Sequence, residues 1–153
     1  MKKIPSIKSL QKKAESLWKE YCLLRDGRFC RVRLHYPELK ITHSDIYQVD
    51  HCISRQNKHT FLEVANGTVI CSNCNLAKNN KNKSVDRAIN EIVIKREGKE
   101  VYERMVELDQ SCGANFNWSK RWWLEGQIKI LEEMIKGVLL AKSYFKEQEK
   151  LNG

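Results

Sequence analysis

Residues 69–78 read VICSNCNLAK, with two cysteines standing two residues apart. Two thiolates on so tight a turn can both reach one tetrahedral ion at ~2.3 Å. A structural zinc site needs four protein ligands, so two further ligands must come from elsewhere and their segments must fold onto this turn. A redox Cys-x-x-Cys would want a thioredoxin-like βαβ context, which the preceding sequence does not offer. Buried free thiols are the remaining alternative. Upstream, Cys30 lies in RFCRVRLHY, but Arg33 occupies the place expected for a partner cysteine. His35 is the nearest substitute, with His43 and Cys22 as rivals for that place. The expected structural set is therefore Cys30, His35, Cys71 and Cys74, holding one Zn²⁺ per chain.

The 153 residues suit one domain with a modest core. Ile7, Leu10, Ala14, Leu17, Tyr21 and Leu24 recur in steps of three and four, which predicts an amphipathic helix. Pro5-Ser6 suits its start and Asp26-Gly27 its stop. Between 28 and 83 the pattern breaks into short runs, of which IYQV (46–49) and TVI (68–70) read as strands. Four of the six cysteines and all four histidines lie in that segment. Ser84 suits the cap of a following helix that Gly98 interrupts, and a further helix carries Val101, Met105 and Leu108. A loop over 111–119 leads to a long helix over about 120–149. There Leu124, Ile128, Leu131, Ile135 and Val138 repeat at four-three spacing, a stripe that could pack on the first helix or seal a homodimer. The fold class expected is α+β in a single domain, 1–153: an N-terminal helix (1–27), a small metal-bound kernel (28–83) and a helical C-terminal part (84–153).

The formal net charge is +9, which predicts attraction to polyanions such as nucleic acid or an anionic membrane surface. No stretch approaches the roughly 18–20 apolar residues of a membrane span, and MKKIPSIKSLQKK lacks the apolar region of a signal peptide. Thiols and metal ligands in a reducing cytoplasm fit the six cysteines better than a secreted disulfide scaffold does.

Val49-Asp50-His51 ends the first expected strand, Asn66 precedes Cys71 by five residues, and Asn75 follows Cys74 directly. The order Asp-His, then Asn, then Cys-x-x-Cys-Asn-x-x-Lys resembles the HNH (ββα-metal, His-Me finger) endonucleases. The resemblance implies two strands and a helix around one catalytic divalent ion, often braced by a separate zinc. KNNKNKSVDRAINEIVIKREGKEVYERMVELDQ and NWSKRWWLEGQIKILEEMIK are similar to the C-terminal half of the phage NinG/Rap proteins, Holliday-junction endonucleases of recombination. This likeness covers about residues 22 to 137, and the Asp-His and Cys-x-x-Cys-Asn elements also resemble the phage resolvase endonuclease VII. The chain departs from the NinG pattern at Arg33, where a cysteine is missing, and at Asp50, where those proteins carry glycine.

Phosphodiester hydrolysis needs an activated water, a stabiliser of phosphate charge and help for the leaving oxygen. A neutral imidazole can take the proton from water, a role that falls to His51. Mg²⁺ or Mn²⁺ prefers oxygen ligands, which Asp50 and Asn75 supply. By resemblance, Asn66 would orient His51 and Lys78 could contact a backbone phosphate. Neighbouring strand residues face opposite ways, so Asp50 and His51 can serve one centre only at a strand end. Other roles stay open: Asn75 as a helix N-cap, Asn66-Gly67 as a turn, Cys52 as core, His59 as a solvated loop residue. Lys78, Lys81 and Lys83, with Arg28, Arg31 and Arg33 beside Arg25, are candidate phosphate contacts. Trp118, Trp122 and Trp123 could stack on bases or pack in the core. The expected function is a metal-dependent endonuclease acting on branched DNA in phage recombination, within the bacterial host cytoplasm. The alternatives are a less selective HNH nickase of duplex DNA and a non-catalytic zinc-knuckle DNA-binding protein.

Overall fold

The computed structural model describes residues 4–56, 58–111 and 117–151. Cys112 and most of the loop expected over 111–119 lie outside them. The mixed α and β character expected from the sequence is present, with helices dominating a single two-stranded sheet.

Helix α1 (Ile7–Asp26) starts where Ser6 Oγ accepts the Ser9 amide, and it stops at Gly27, whose φ of 74° suits glycine. Its apolar face buries Leu10, Ala14, Trp18 and Cys22. A short helix, α2 (Arg31–His35), follows with Cys30 as its N-cap. Strand β1 (Tyr47–His51) pairs antiparallel with β2 (Gly67–Cys71), with Asp50 opposite Thr68 and His51 opposite Gly67. A single 3-10 turn, Val64–Asn66, feeds β2. Helix α3 (Ser72–Asn79) grows directly from β2 and places both thiols of the Cys-x-x-Cys at its start.

The chain leaves α3 through Lys81, whose φ of 62° is the only positive value at a non-glycine residue among those described. The Lys81 amide donates to Lys78 O and the Asn82 amide to Ala77 O, which closes the helix end. Asn82, rather than the expected Ser84, caps α4 (Lys83–Glu97): its Oδ1 accepts the Ser84 and Val85 amides. Asparagine can serve both ends at once because its short side chain tolerates the turn and still reaches two residues on. Gly98, at φ 92°, separates α4 from α5 (Lys99–Ser111).

Helix α6 (Arg121–Leu151) runs parallel to α1. Arg121 reaches Pro5 O at 2.7 Å, Glu132 pairs with Lys13 at 2.7 Å, and Lys142 reaches Leu24 O at 2.6 Å, so both helices advance together. The four-three stripe is covered from within the chain, because Leu124, Ile128 and Leu131 pack with Leu10, Ala14, Trp18 and Phe61. Each such side chain contributes about 1.5–3 kcal/mol on full burial. A second apolar cluster joins Cys30, Val32, Ile70, Cys71 and Cys74 to Val85, Ile89 and Val93 of α4 and Met105 of α5. Strand β2 is buried along its whole length, between the thiols at and beyond its end and the strand that carries Asp50 and His51.

Candidate functional site

Two centres flank the hairpin. The first is the thiol cluster. Cys30, His43, Cys71 and Cys74 place one ligand atom each within 4.8 Å of one another. Cys30 Sγ lies 3.7 Å from Cys74 Sγ, and His43 Nδ1 lies 3.4 Å from both Cys71 Sγ and Cys74 Sγ. Ligands on a tetrahedral zinc at ~2.3 Å for sulfur and ~2.0–2.1 Å for nitrogen would stand about 3.8 Å apart for two sulfurs and about 3.5 Å for sulfur and nitrogen. The donor set and its spacing therefore suit a structural Zn²⁺. Contact with the Cys74 thiol lowers the pKa of Cys30.

The fourth member of this cluster is His43 and not His35. Cys30 caps α2 and His35 is its last residue. Five residues of helix carry a side chain about 140° round and about 7.5 Å along, which turns His35 away from the thiols. It lines a separate cavity with Arg25, Arg31, Lys95 and Arg96. His43 sits instead on an irregular segment tied to the start of α3 on both sides. Asn73 Nδ2 donates to Thr42 O at 2.6 Å, and the Ser44 and Ser72 hydroxyls lie 2.7 Å apart. Those two ties fold 42–44 over the thiols, and a linear reading of the spacing carries no sign of them.

The second centre is a cavity of about 710 Å³ lined by residues of α1, β1, α3 and α4. Asp50, His51 and Asn75 all reach it, as do Lys78 and Asp86. His51 ends β1, and its ring stacks on Trp18 (centroids 4.2 Å apart, planes 13° from parallel) with Phe61 beside it (4.6 Å, tilted by 33°). His51 Nε2 lies 3.0 Å from the Phe61 carbonyl. A carbonyl only accepts, so Nε2 carries the proton and Nδ1 keeps its lone pair. Burial pushes the His51 pKa down from 6.5 to about 4, so the ring is neutral at pH 7.

Asn66 is fully buried and pins the segment after His51. Its Oδ1 accepts the Ile53 amide at 2.6 Å, while Nδ2 donates to Ile53 O at 3.2 Å and Thr60 O at 3.0 Å. Its main-chain oxygen accepts the Cys52 amide at 2.8 Å. The carbonyl that fixes the His51 tautomer belongs to the residue directly after Thr60. Asn66-Gly67 is thus more than a turn signal. Asn75 lies in the middle of α3 and not at its N-cap, which Cys71 occupies.

The proposed phosphate contacts divide. Lys81, Lys83, Arg28 and Arg33 are exposed. Arg31 donates to Asp26 O and is half-buried. Arg25 is built into the fold: it holds Asp26, Val64 O (2.7 Å) and Gly67 O (2.6 Å). Lys78 is also engaged, with Nζ 2.6 Å from Asp50 Oδ2 and 2.5 Å from His51 O. Cys52 is buried, its thiol donates to Asn90 Oδ1 at 3.0 Å, and burial raises its pKa to about 12, so it is an inert core thiol. Trp118 packs edge-on against Phe61 at 4.8 Å, whereas Trp122 is 67% exposed. No helix among the described residues is long and apolar enough to cross a membrane. Comparison with family models, with curated proteins and with solved structures found no match in any of the three.

Proposed function

We propose that the chain is a metal-dependent HNH-type endonuclease that hydrolyses DNA phosphodiesters, with four-way or otherwise branched DNA as substrate. On this reading β1, β2 and α3 form the ββα kernel, and the protein works in the cytoplasm of a phage-infected bacterium. The observation that carries it is the state of His51. The ring is neutral, oriented by Phe61 O, and shares one cavity with the carboxylate of Asp50 and the amide of Asn75.

His51 Nδ1 takes the proton from a water that attacks phosphorus. Stacking on Trp18 and the neighbouring Phe61 ring limit how far the imidazole can turn. Asn66 holds the loop whose carbonyl fixes the tautomer. On this reading Asp50 and Asn75 would supply hard oxygen donors to a divalent ion such as Mg²⁺ or Mn²⁺, and the ammonium drawn to Asp50 Oδ2 supports a carboxylate that attracts cations there. When bound, that ion supplies charge stabilisation to the phosphate and the departing oxygen. The exposed Lys81, Lys83, Arg28 and Arg33 hold the backbone, so affinity falls steeply with salt. Two symmetric incisions of a four-way junction require two such sites, which a homodimer would supply through a surface other than the buried α6 stripe.

The test is Mg²⁺-dependent cleavage of a four-way junction beside a linear duplex of the same sequence, with a chelator control. Junction cleavage supports the reading, and equal cleavage of both substrates reassigns the chain to duplex nicking. His51→Ala is expected to bind DNA and cut neither, and cleavage by that variant at the normal rate removes His51 as the base. The Lys78–Asp50 pair favours a second reading, a zinc-braced DNA-binding protein in which that pair is purely structural. It requires a wild type that binds DNA and never cleaves it.

A further inference from the structure

Lys78 and Asp50 are each 18% exposed at the side chain, and their charged atoms lie 2.6 Å apart. The same ammonium donates to His51 O at 2.5 Å, so it is held from two sides and not by charge alone. Lys78 stands three residues after Asn75 on α3, which puts the ammonium and the amide on one helix face above the same cavity. Screening at such a half-buried site is weaker than at an open surface, so the pair is stronger than an ordinary surface ion pair.

An ion bound by Asp50 would sit ~2.0–2.1 Å from a carboxylate oxygen. An ammonium already within hydrogen-bonding distance of that carboxylate would then face a double positive charge at a few ångströms. The two cannot share the site without mutual repulsion. Resting on the endonuclease reading, we infer that Lys78 is a built-in competitor for the divalent ion: it occupies Asp50 until the ion displaces it, and the released ammonium turns to a substrate phosphate. The ion and the DNA then help one another. Each removes a cost that the other would otherwise bear, and the coupling is reciprocal by linkage. The ion-binding centre is weak in the free protein and tightens when a polyanion arrives to receive the ammonium.

The experiment is a Mn²⁺ titration of the full-length, zinc-loaded protein, followed by the electron paramagnetic resonance of free Mn²⁺. Wild type is compared with Lys78→Met, Lys78→Gln, Asp50→Asn and the double variant Asp50→Asn/Lys78→Gln. Lys78→Gln keeps a donor for His51 O and guards against a folding defect in Lys78→Met. The expected result is binding about tenfold tighter in the Lys78 variants, lost in both Asp50 variants. A Mn²⁺-induced rise in melting temperature should be larger in Lys78→Gln than in wild type. Equal or weaker binding in Lys78→Gln, with binding still dependent on Asp50, overturns the competition and leaves the metal site standing. Absence of any Asp50-dependent Mn²⁺ binding in wild type and Lys78→Gln alike overturns both.

Discussion

Asn66 pairs with Ile53 as a second strand would: its Oδ1 accepts the Ile53 amide at 2.6 Å and its Nδ2 donates to the Ile53 carbonyl at 3.2 Å. A third bond, from Nδ2 to Thr60 O, spans the loop that ends at Phe61. Asn66→Asp keeps the shape and loses both donors, setting an anion against two carbonyls. The expected cost is about 2–3 kcal/mol of stability. On the endonuclease reading, cleavage should fall at least about tenfold with DNA affinity little changed, because a 1 Å drift of the proposed base is costly. Denaturant titration and single-turnover kinetics measure the two effects separately.

Gly67 passes so close to α1 that a side chain has no room. A Cβ there would press on Cys22 Sγ and lie 2.8 Å from the Trp18 ring. Gly67→Ala should cost about 1–3 kcal/mol. Pairing it with Cys22→Ala should recover part of that loss, since the nearest obstacle is removed. Urea midpoints of the two single variants and the double variant give the coupling, and strict additivity would contradict the close approach.

Removal of zinc should unfold the kernel around α2 and α3, since no disulfide replaces the ion among the buried, free cysteines described. His43→Ala should lose the metal and His35→Ala should keep it, with about one zinc per chain in wild type. Elemental analysis with far-ultraviolet circular dichroism decides this. Zinc retained by His43→Ala and lost by His35→Ala would return the fourth ligand to α2.

Asp26 is 6% exposed and bound by Arg25 at 2.7 Å, by Arg96 at 3.4 Å and by the Val69 amide at 3.3 Å. Burial alone raises its pKa, but Arg25 first and then Arg96 and Val69 outweigh it and bring the carboxyl below its usual 3.8. The folded value is the lower one, so this stabilisation is complete above the unfolded pKa and fades as pH falls through the folded value. Acid unfolding in wild type should therefore steepen below about pH 4. Asp26→Asn removes one carboxylate from two guanidinium groups that both keep Glu97, and should cost about 1.5–3 kcal/mol at pH 7. The stability difference between the two proteins should shrink as pH drops below 4, which denaturation curves at a series of pH values will read.

The regular elements were legible because their signals are local. The apolar steps of α1 and α4, the two strands and the glycines that stop those two helices follow from periodicity and backbone freedom. Asp50, His51 and Asn75 stand out in the sequence by residue type and order, and the structure brings them to one cavity. His43 lies farther along the chain from Cys30 than His35 does, and α2, whose turn decides which histidine faces the thiols, is too short for periodicity to reveal. The Lys78–Asp50 pair and the structural use of Arg25 were hidden for a related reason. A basic residue looks alike in sequence whether it meets a phosphate or a carbonyl, and only tertiary contact separates the two.

The parallel packing of α1 on α6 has a bearing on how the molecule comes into being. A ribosome makes α1 first and α6 long afterwards, so Trp18 and its neighbours must wait, uncovered, while everything between them is translated. The indole beneath His51 gains its full seat only once that late helix arrives. The wall of the His51 cavity would thus stay incomplete until α6 had emerged, a delay set by topology alone.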